Sequence, residues 1–383
     1  MSAASQPDRD LEAWFRLAHA PGVGRSAARA LLAAFGSASA VLAAPPAARR
    51  AVVPERVAAA LEQVALEQAD ALQAVQRWLA EDPAHQVITL GDTRYPPALL
   101  QTADPPVLLY ADGDPTVLAR PSIAIVGSRH ATPAGLQHAR AFAQELAAAG
   151  WTVVSGLARG IDAAAHEGAL QGQGLTAAVV GTGLDTVYPT AHRALARRIA
   201  DRGVVISEFA PGTPPLAAHF PQRNRIIAGS CAGVLVVEAA LQSGSLITAR
   251  MAAEAGREVF ALPGSIDSPQ SRGCHALIKQ GAKLVETLED ILDELAPGGA
   301  ARRPSGDVAD RDGTLDREEA DEGGAAASDP VLRALGHDPA TLDALCARLG
   351  WPVPELSARL LELELRGDVA RLPGGLYQRT RRG

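Results

Sequence analysis

A chain of 383 residues, 47% hydrophobic and 21% charged, has room for two or three domains with substantial cores. Its net charge of −7 argues against bulk electrostatic attraction to nucleic acid. However, nine carboxylates against four arginines fall between Pro297 and Pro330, a balance of −5, so the remainder is close to neutral. No charge-free apolar run approaches the about eighteen residues that a bilayer span needs, and the polar N-terminus lacks a signal-peptide core. A cytoplasmic protein with no membrane contact is therefore expected. Cys231, Cys274 and Cys346 lie far apart, which argues against a disulfide framework or a zinc site. Lysine is confined to Lys279 and Lys283, leaving cationic work to arginine.

In chain order, Leu11 to Ala18 reads as helix, Pro21-Gly22-Val23-Gly24 as a tight turn, and Ser26 as the cap of a second helix ending near Phe35-Gly36. The pattern resembles a helix-hairpin-helix of the sterile-alpha-motif-like kind, whose turn can offer N–H groups to a phosphate. The plainer reading, that the glycines only let two helices turn tightly, is favoured by an alanine-rich flanking face. A long helix from about Glu55 to Leu79 completes a helical domain over residues 1–84, and Pro83 breaks it. Tyr95-Pro96-Pro97 and Asp104-Pro105-Pro106 then impose extended backbone, expected to lay a short strand beside the next domain.

From Pro121 onward short apolar runs alternate with amphipathic helical patterns. The strand candidates are Ile123 to Val126, Thr152 to Val154, Thr176 to Val180, Val204 to Ile206, Val234 to Val237 and Val259 to Ala261. Such alternation predicts an α/β fold, a Rossmann-like, doubly wound, mostly parallel sheet over residues 85–296. The strands give way to Gly127-Ser128-Arg129, Ser155-Gly156, Gly181-Thr182-Gly183, Ser207-Glu208, Glu238-Ala239 and Pro263-Gly264. Small residues at the carboxyl edge let a ligand approach the backbone. The first turn is not G-x-G-x-x-G, so no cofactor is implied.

The densest cluster of anion-binding groups is Phe220-Pro221-Gln222-Arg223-Asn224-Arg225, followed one strand later by Ser243-Gly244-Ser245 leading into a helix. Arginine forks match phosphate, and a helix N-terminus adds partial positive charge. A phosphodiester chain is the expected ligand; solvated surface ion pairs are the plainer alternative for Arg223 and Arg225.

Together, Ile125 to Arg129, Ser155 to Asp162 with Ala165-His166, Gly181 to Asp185 with Tyr188-Pro189, Phe220 to Ile227 and Ser243 to Ala249 resemble the DNA-processing protein A (DprA/Smf) family. The resemblance implies a homodimer that binds single-stranded DNA without sequence preference, protects incoming strands and loads the RecA recombinase during natural transformation, with single-strand-binding protein as a further partner. It places Gly127, Ser128 and Arg129 on a phosphate floor. It assigns to the same nucleic-acid site Ser155, Gly156, Arg159, Gly160, Phe220, Arg223, Asn224, Arg225, Ser243, Gly244, Ser245 and Thr248. Arg159 stands where many relatives carry lysine, which keeps the charge but changes its geometry. Phe220 is assigned to base stacking, with an ordinary core aromatic as the alternative. His275 departs from the family's usual Gly-Cys-Asn.

The architecture is also similar to phosphoribohydrolases of the lysine-decarboxylase-like group, but where those carry a catalytic carboxylate this chain has Thr248. No catalytic residue is expected, and Asp162 with His166 reads as a structural hydrogen-bonding pair. Residues 297–328 read as a flexible acidic linker. Residues 329–383 read as a winged helix of three helices and a hairpin, whose acidic third helix suits protein contact better than the major groove.

Overall fold

The computed structural model describes residues 6–62, 66–295, 329–335 and 339–380. The linker expected over residues 297–328 lies outside the described residues.

The chain opens with α1 (Gln6–His19), α2 (Arg25–Phe35), α3 (Ala38–Ala43), α4 (Pro46–Arg50), α5 (Glu55–Ala60) and α6 (Leu66–Glu81). Ser26 does not cap α2. Gly24 takes that place with extended backbone and no side-chain bond, which leaves Ser26 inside the first turn. The single helix expected from Glu55 to Leu79 is two, because its halves serve different cores. Val57, Ala58 and Leu61 pack with Leu17, Leu31 and Val41, whereas Val75 and Trp78 pack with Phe15, Leu108 and Tyr110.

The central domain contains, in order, β1 (His85–Thr89), α7 (Pro97–Leu100), β2 (Leu108–Gly113), β3 (Ser122–Gly127), α8 (Pro133–Ala148), β4 (Thr152–Ser155), α9 (Ile161–Gln171), β5 (Thr176–Val179) and α10 (Arg193–Arg202). It continues with β6 (Val204–Ser207), α11 (His219–Gly229), β7 (Gly233–Val237), α12 (Gly244–Glu254), β8 (Glu258–Ala261), α13 (Arg272–Lys279), β9 (Lys283–Leu284) and α14 (Leu288–Leu295). The sheet order is β1-β2-β6-β5-β4-β3-β7-β8-β9. Neighbours from β6 to β9 pair parallel, while β1 with β2 and β2 with β6 pair antiparallel. Each of the six expected strands is present, and the proline-punctuated lead-in supplies the antiparallel pair.

Strand alternation sends side chains to two cores, which is why helices cover both faces. Ala124, Val126, Val234 and Val236 meet Ile226 and Ile227 of α11 and Ala249 and Ala252 of α12. Ile123, Ile125, Leu235 and Val237 meet Ala139, Ala143 and Leu146 of α8 and Ala164 and Ala165 of α9. β2 divides in the same way: Leu109 and Ala111 enter the first of these cores, and Leu108 and Tyr110 enter the core formed with α1 and α6. There His19 Nε2 lies 3.0 Å from the Tyr110 hydroxyl, and burial pushes the imidazole pKa down to about 4.

The C-terminal unit consists of α15 (Pro330–Leu335), β10 (Ala340–Thr341), α16 (Leu342–Leu349), α17 (Val353–Leu365), β11 (Val369–Leu372) and β12 (Leu376–Arg379). Its sheet order is β10-β12-β11, the helix-and-wing arrangement expected plus one short strand. Asp329, buried at its start, accepts from Arg359 of α17 at 2.9 Å.

Candidate nucleic-acid interface

Parallel strands point their carboxyl ends, and the loops that follow, to one edge of the sheet. There the loops after β3, β4 and β7, with α11, enclose an open cavity of about 420 Å³, lined by Gly127, Ser128, Arg129, Phe220, Arg223, Asn224, Ser243, Gly244, Ser245 and Thr248 among others. Ser243 caps α12: its Oγ lies 3.4 Å from the Ser245 amide and 2.7 Å from the Ser245 hydroxyl. Gly244 leaves open space above the same turn. First-turn N–H groups beyond that cap have no intrahelical partner and suit an anion.

On the facing wall Ser128 is locked from both sides. Its amide donates to Glu238 O at 2.7 Å, its carbonyl accepts from the Ile161 amide at 3.1 Å, and its Oγ accepts from the His130 amide at 3.1 Å. Arg129, next along, is exposed. Its guanidinium carbon stands 5.8 Å from the centroid of the Phe220 ring, within cation–π range. The half-buried Phe220 lies over Gly181 at the end of β5 and beside Tyr188, ring centroids 5.6 Å apart. Positive charge and an aromatic face thus adjoin at the cavity rim.

The two arginines of the 220–225 segment do not act together. That segment is helical, within α11, and residues two apart on a helix face different ways. Arg223 turns inward and is 4% exposed. Its Nη1 donates to Gly156 O at 2.6 Å and also to Val179 O. Close by, Asp162 accepts from the amides of Gly156 at 3.1 Å and Ala158 at 3.3 Å. Burial raises the Asp162 pKa, opposed first by Arg223, and burial lowers that of Arg223 to about 10, opposed by Asp162. At neutral pH the guanidinium stays charged, a buried strut within the cavity floor.

Arg225 points away from the cavity. Its Nη1 donates to Asp104 O at 2.5 Å and its Nη2 to both Glu208 oxygens at 2.5 Å. Arg25 of α2 meets the same carboxylates, at 2.6 Å to Asp104 and 3.5 Å to Glu208, and Arg29 reaches Asp104 at 3.3 Å. The residue expected on phosphate is thus half of a charged seam with the helical domain. Asn224 lies between them, its Nδ2 3.4 Å from Gly244 O, where it ties α11 to the start of α12.

Ser155 and Gly156 lie under the floor. Ser155 Oγ donates to Ile125 O at 2.6 Å, and both residues are buried. Arg159 is exposed on the β4–α9 loop, followed by Gly160 with φ +77; neither lines the cavity. Asp162 and His166 have separate partners, since His166 Nδ1 lies 2.7 Å from the Thr176 hydroxyl. His275 Nε2 lies 3.0 Å from Gly264 O, so the imidazole fastens the loop after β8.

Two residues at this edge were not among the expected site residues. Glu238, a non-glycine at φ +54, accepts from the Thr132 amide at 2.8 Å and from its hydroxyl; burial raises its pKa, with Thr132 opposing. Tyr188 stands 49% exposed beside Phe220. Its aromatic character before Pro189 was visible in the sequence, but its neighbour comes from α11, about thirty residues later, so the ring contact was not. Among the described residues no group of three or more His, Cys, Asp or Glu could hold a metal ion, and no helix is long and apolar enough to cross a membrane.

Family models match in three parts: DNA recombination-mediator protein A over residues 86–296, a DprA-like N-terminal HHH domain over residues 8–71, and the DprA winged helix domain over residues 316–375. Protein Smf of Escherichia coli K12 is 46% identical over 316 residues, covering 80% of each chain. DNA processing protein DprA of Streptococcus pneumoniae is 50% identical over 228 residues, 57% of this chain and 80% of that one. The crystal structure of the pneumococcal protein superposes with TM-score 0.64 at 37% identity, over 77% of this chain and 99% of that one. A structure describing the single-stranded DNA binding mode of DNA processing protein A from Helicobacter pylori matches with TM-score 0.50 at 33% identity, over 55% of this chain and 95% of that one. With its central domain, its helical N-terminal domain and its winged helix all matched, the chain belongs to the DNA recombination-mediator protein A family.

Proposed function

We propose that this protein binds single-stranded DNA at the carboxyl edge of its sheet, without sequence preference, and delivers the strand to a RecA-type recombinase during DNA uptake. One observation carries the reading: exposed Arg129 stands over the face of Phe220, across one cavity from the open first turn of α12. Cation and helix terminus suit phosphates, and the ring suits any base, since every base has a stacking face. The H. pylori relative, whose structure concerns single-stranded DNA binding, supports the ligand class. A homodimer with two such sites gains avidity on long strands.

The role proposed is not enzymatic. Asp162, which is buried, and the half-buried Glu238 are engaged with backbone and hydroxyl donors, and the position compared with the phosphoribohydrolase carboxylate is the buried Thr248. Cytoplasmic action follows from the proposed partners.

The test is filament assembly by a RecA recombinase on strands precoated with single-strand-binding protein, alongside filter binding of labelled strands. Tight binding of long single strands with faster assembly is expected. Tight binding with unchanged assembly would leave DNA binding and remove the loading role; release of free base from nucleotides would revive the enzymatic reading.

A further inference from the structure

Four neighbouring strands, in the order β3, β4, β5 and β6, present a graded series of side chains at their carboxyl ends. After β3 comes exposed Arg129, and after β4 exposed Arg159. After β5 comes Tyr188, packed by Phe220, and two residues past β6 comes Phe209. Phe209 stacks on His219, ring centroids 3.9 Å apart and planes 17° apart, and its amide is held by Ser207 Oγ at 3.0 Å.

We propose that Tyr188 and the Phe209–His219 pair form a second base-stacking subsite, which continues the path of a single strand from the Arg129–Phe220 rim toward the helical domain. The inference rests on the single-stranded DNA reading above and adds to it a direction and a set of residues.

Three features carry it. Tyr188 is 49% exposed, and packed on one side by Phe220 it leaves ring surface open on which a base can stack. Phe209 and His219 are both half-buried, and Phe209 borders an open cavity of about 860 Å³ shared with α2, so room remains beside the ring pair. Glu208, which would repel a strand there, is neutralised by Arg225 at 2.5 Å. The ends of β3 and β6 are three sheet spacings apart, about 14 Å, which places this subsite several nucleotides along from the phosphate floor.

The experiment measures affinity of the full chain for oligothymidylates of roughly four and roughly ten nucleotides, with Tyr188→Ala, Phe209→Ala and Arg129→Ala beside the wild type. Tyr188→Ala and Phe209→Ala should each weaken the longer strand by about 5-fold to 150-fold, the range for unstacking a single base. The shorter strand should change little, and Tyr188→Phe should restore binding. Wild-type protein is also tested on the longer strand with single bases removed, a measurement that no folding defect can confound; base removal should lower affinity at two or more separate positions. If both alanine variants bind like wild type, or base removal matters at one position only, the subsite is overturned while the effect of Arg129→Ala preserves the binding reading. If wild type binds neither strand, the binding reading itself fails, and the subsite with it.

Discussion

The Arg223 guanidinium occupies the space in which a side chain on Gly156 would begin: its Nη1 and Nη2 lie 2.6 Å from the position of a Cβ there. A glycine that reads as a ligand-facing turn is thus a socket for a buried cation. Gly156→Ala must displace the guanidinium from Gly156 O and Val179 O, and is expected to cost about 1–3 kcal/mol as an overpacked site. Arg223→Ala, which leaves Asp162 without its buried counter-charge, is expected to cost about 3–5 kcal/mol. Denaturant unfolding of the two variants checks both values.

Arg129 and Arg225 should separate cleanly in a salt titration. Arg129 is exposed at the rim, so Arg129→Ala should flatten the log–log salt dependence of strand binding by about 0.7, the share of a single phosphate on a single strand. Arg225 is spent on Asp104 and Glu208, so Arg225→Ala should lower thermal stability and change that slope less than Arg129→Ala does, its only effect on the strand being the Glu208 charge it uncovers. A slope change for Arg225→Ala with none for Arg129→Ala would move the phosphate contacts from the cavity rim to Arg225 itself.

Acid should destabilise the fold through two histidines held neutral. The Thr176 hydroxyl donates its proton to Val153 O at 2.7 Å and therefore accepts from His166 Nδ1, leaving Nε2 buried without a partner. Burial, then Arg223, lowers the His166 pKa to about 3, while burial lowers that of His19 to about 4. Between those values and about 6.5 the unfolded chain binds more protons than the folded one, so stability rises with pH across that window and is lost as pH falls. Each histidine contributes a slope of about 1.4 kcal/mol per pH unit at most. Asp162 and Glu238, with raised pKa values, act in the opposite sense above the ordinary carboxylate range. Comparing His166→Gln with wild type at about pH 5 and about pH 7 isolates the imidazole: the variant should show the shallower pH dependence.

Removal of residues 297–383 should leave single-strand affinity unchanged or slightly improved at low salt, because the stretch between Pro297 and Pro330 is acidic and the groups lining the strand site lie upstream. Titrating full-length and shortened proteins with the same labelled strand checks this; a large drop in affinity would assign a direct DNA-binding role to the winged helix.

Much of this was legible in the sequence. Periodicity located the parallel strands and the small residues at their carboxyl ends; of the residues that family resemblance assigned, those after β3 and β7 line the cavity and Arg159 and Arg225 do not. The directions of side chains on α11 were not legible. Arg223 and Arg225 look equivalent along the chain, and only the helical turn between them sends one into the cavity floor and the other to the seam. Likewise β9, two residues long, is too short to show a period, and the break between α5 and α6 reflects two separate cores and not a helix-breaking residue. Tyr188 was visible as a motif, but its partner Phe220 arrives through tertiary packing alone.

β2 is a party wall. Its alternate side chains complete two different cores, Leu109 and Ala111 on one side and Leu108 and Tyr110 on the other. Loss of the N-terminal helices would strip apolar cover from a strand hydrogen-bonded directly to β6. Residues 6–295 should therefore melt as a single cooperative unit, with calorimetric and van 't Hoff enthalpies equal, even though the sequence divides there into two domains. An isolated sheet domain cut at residue 84 would expose Tyr110 and Leu108 to water, and should be prepared with its helices attached.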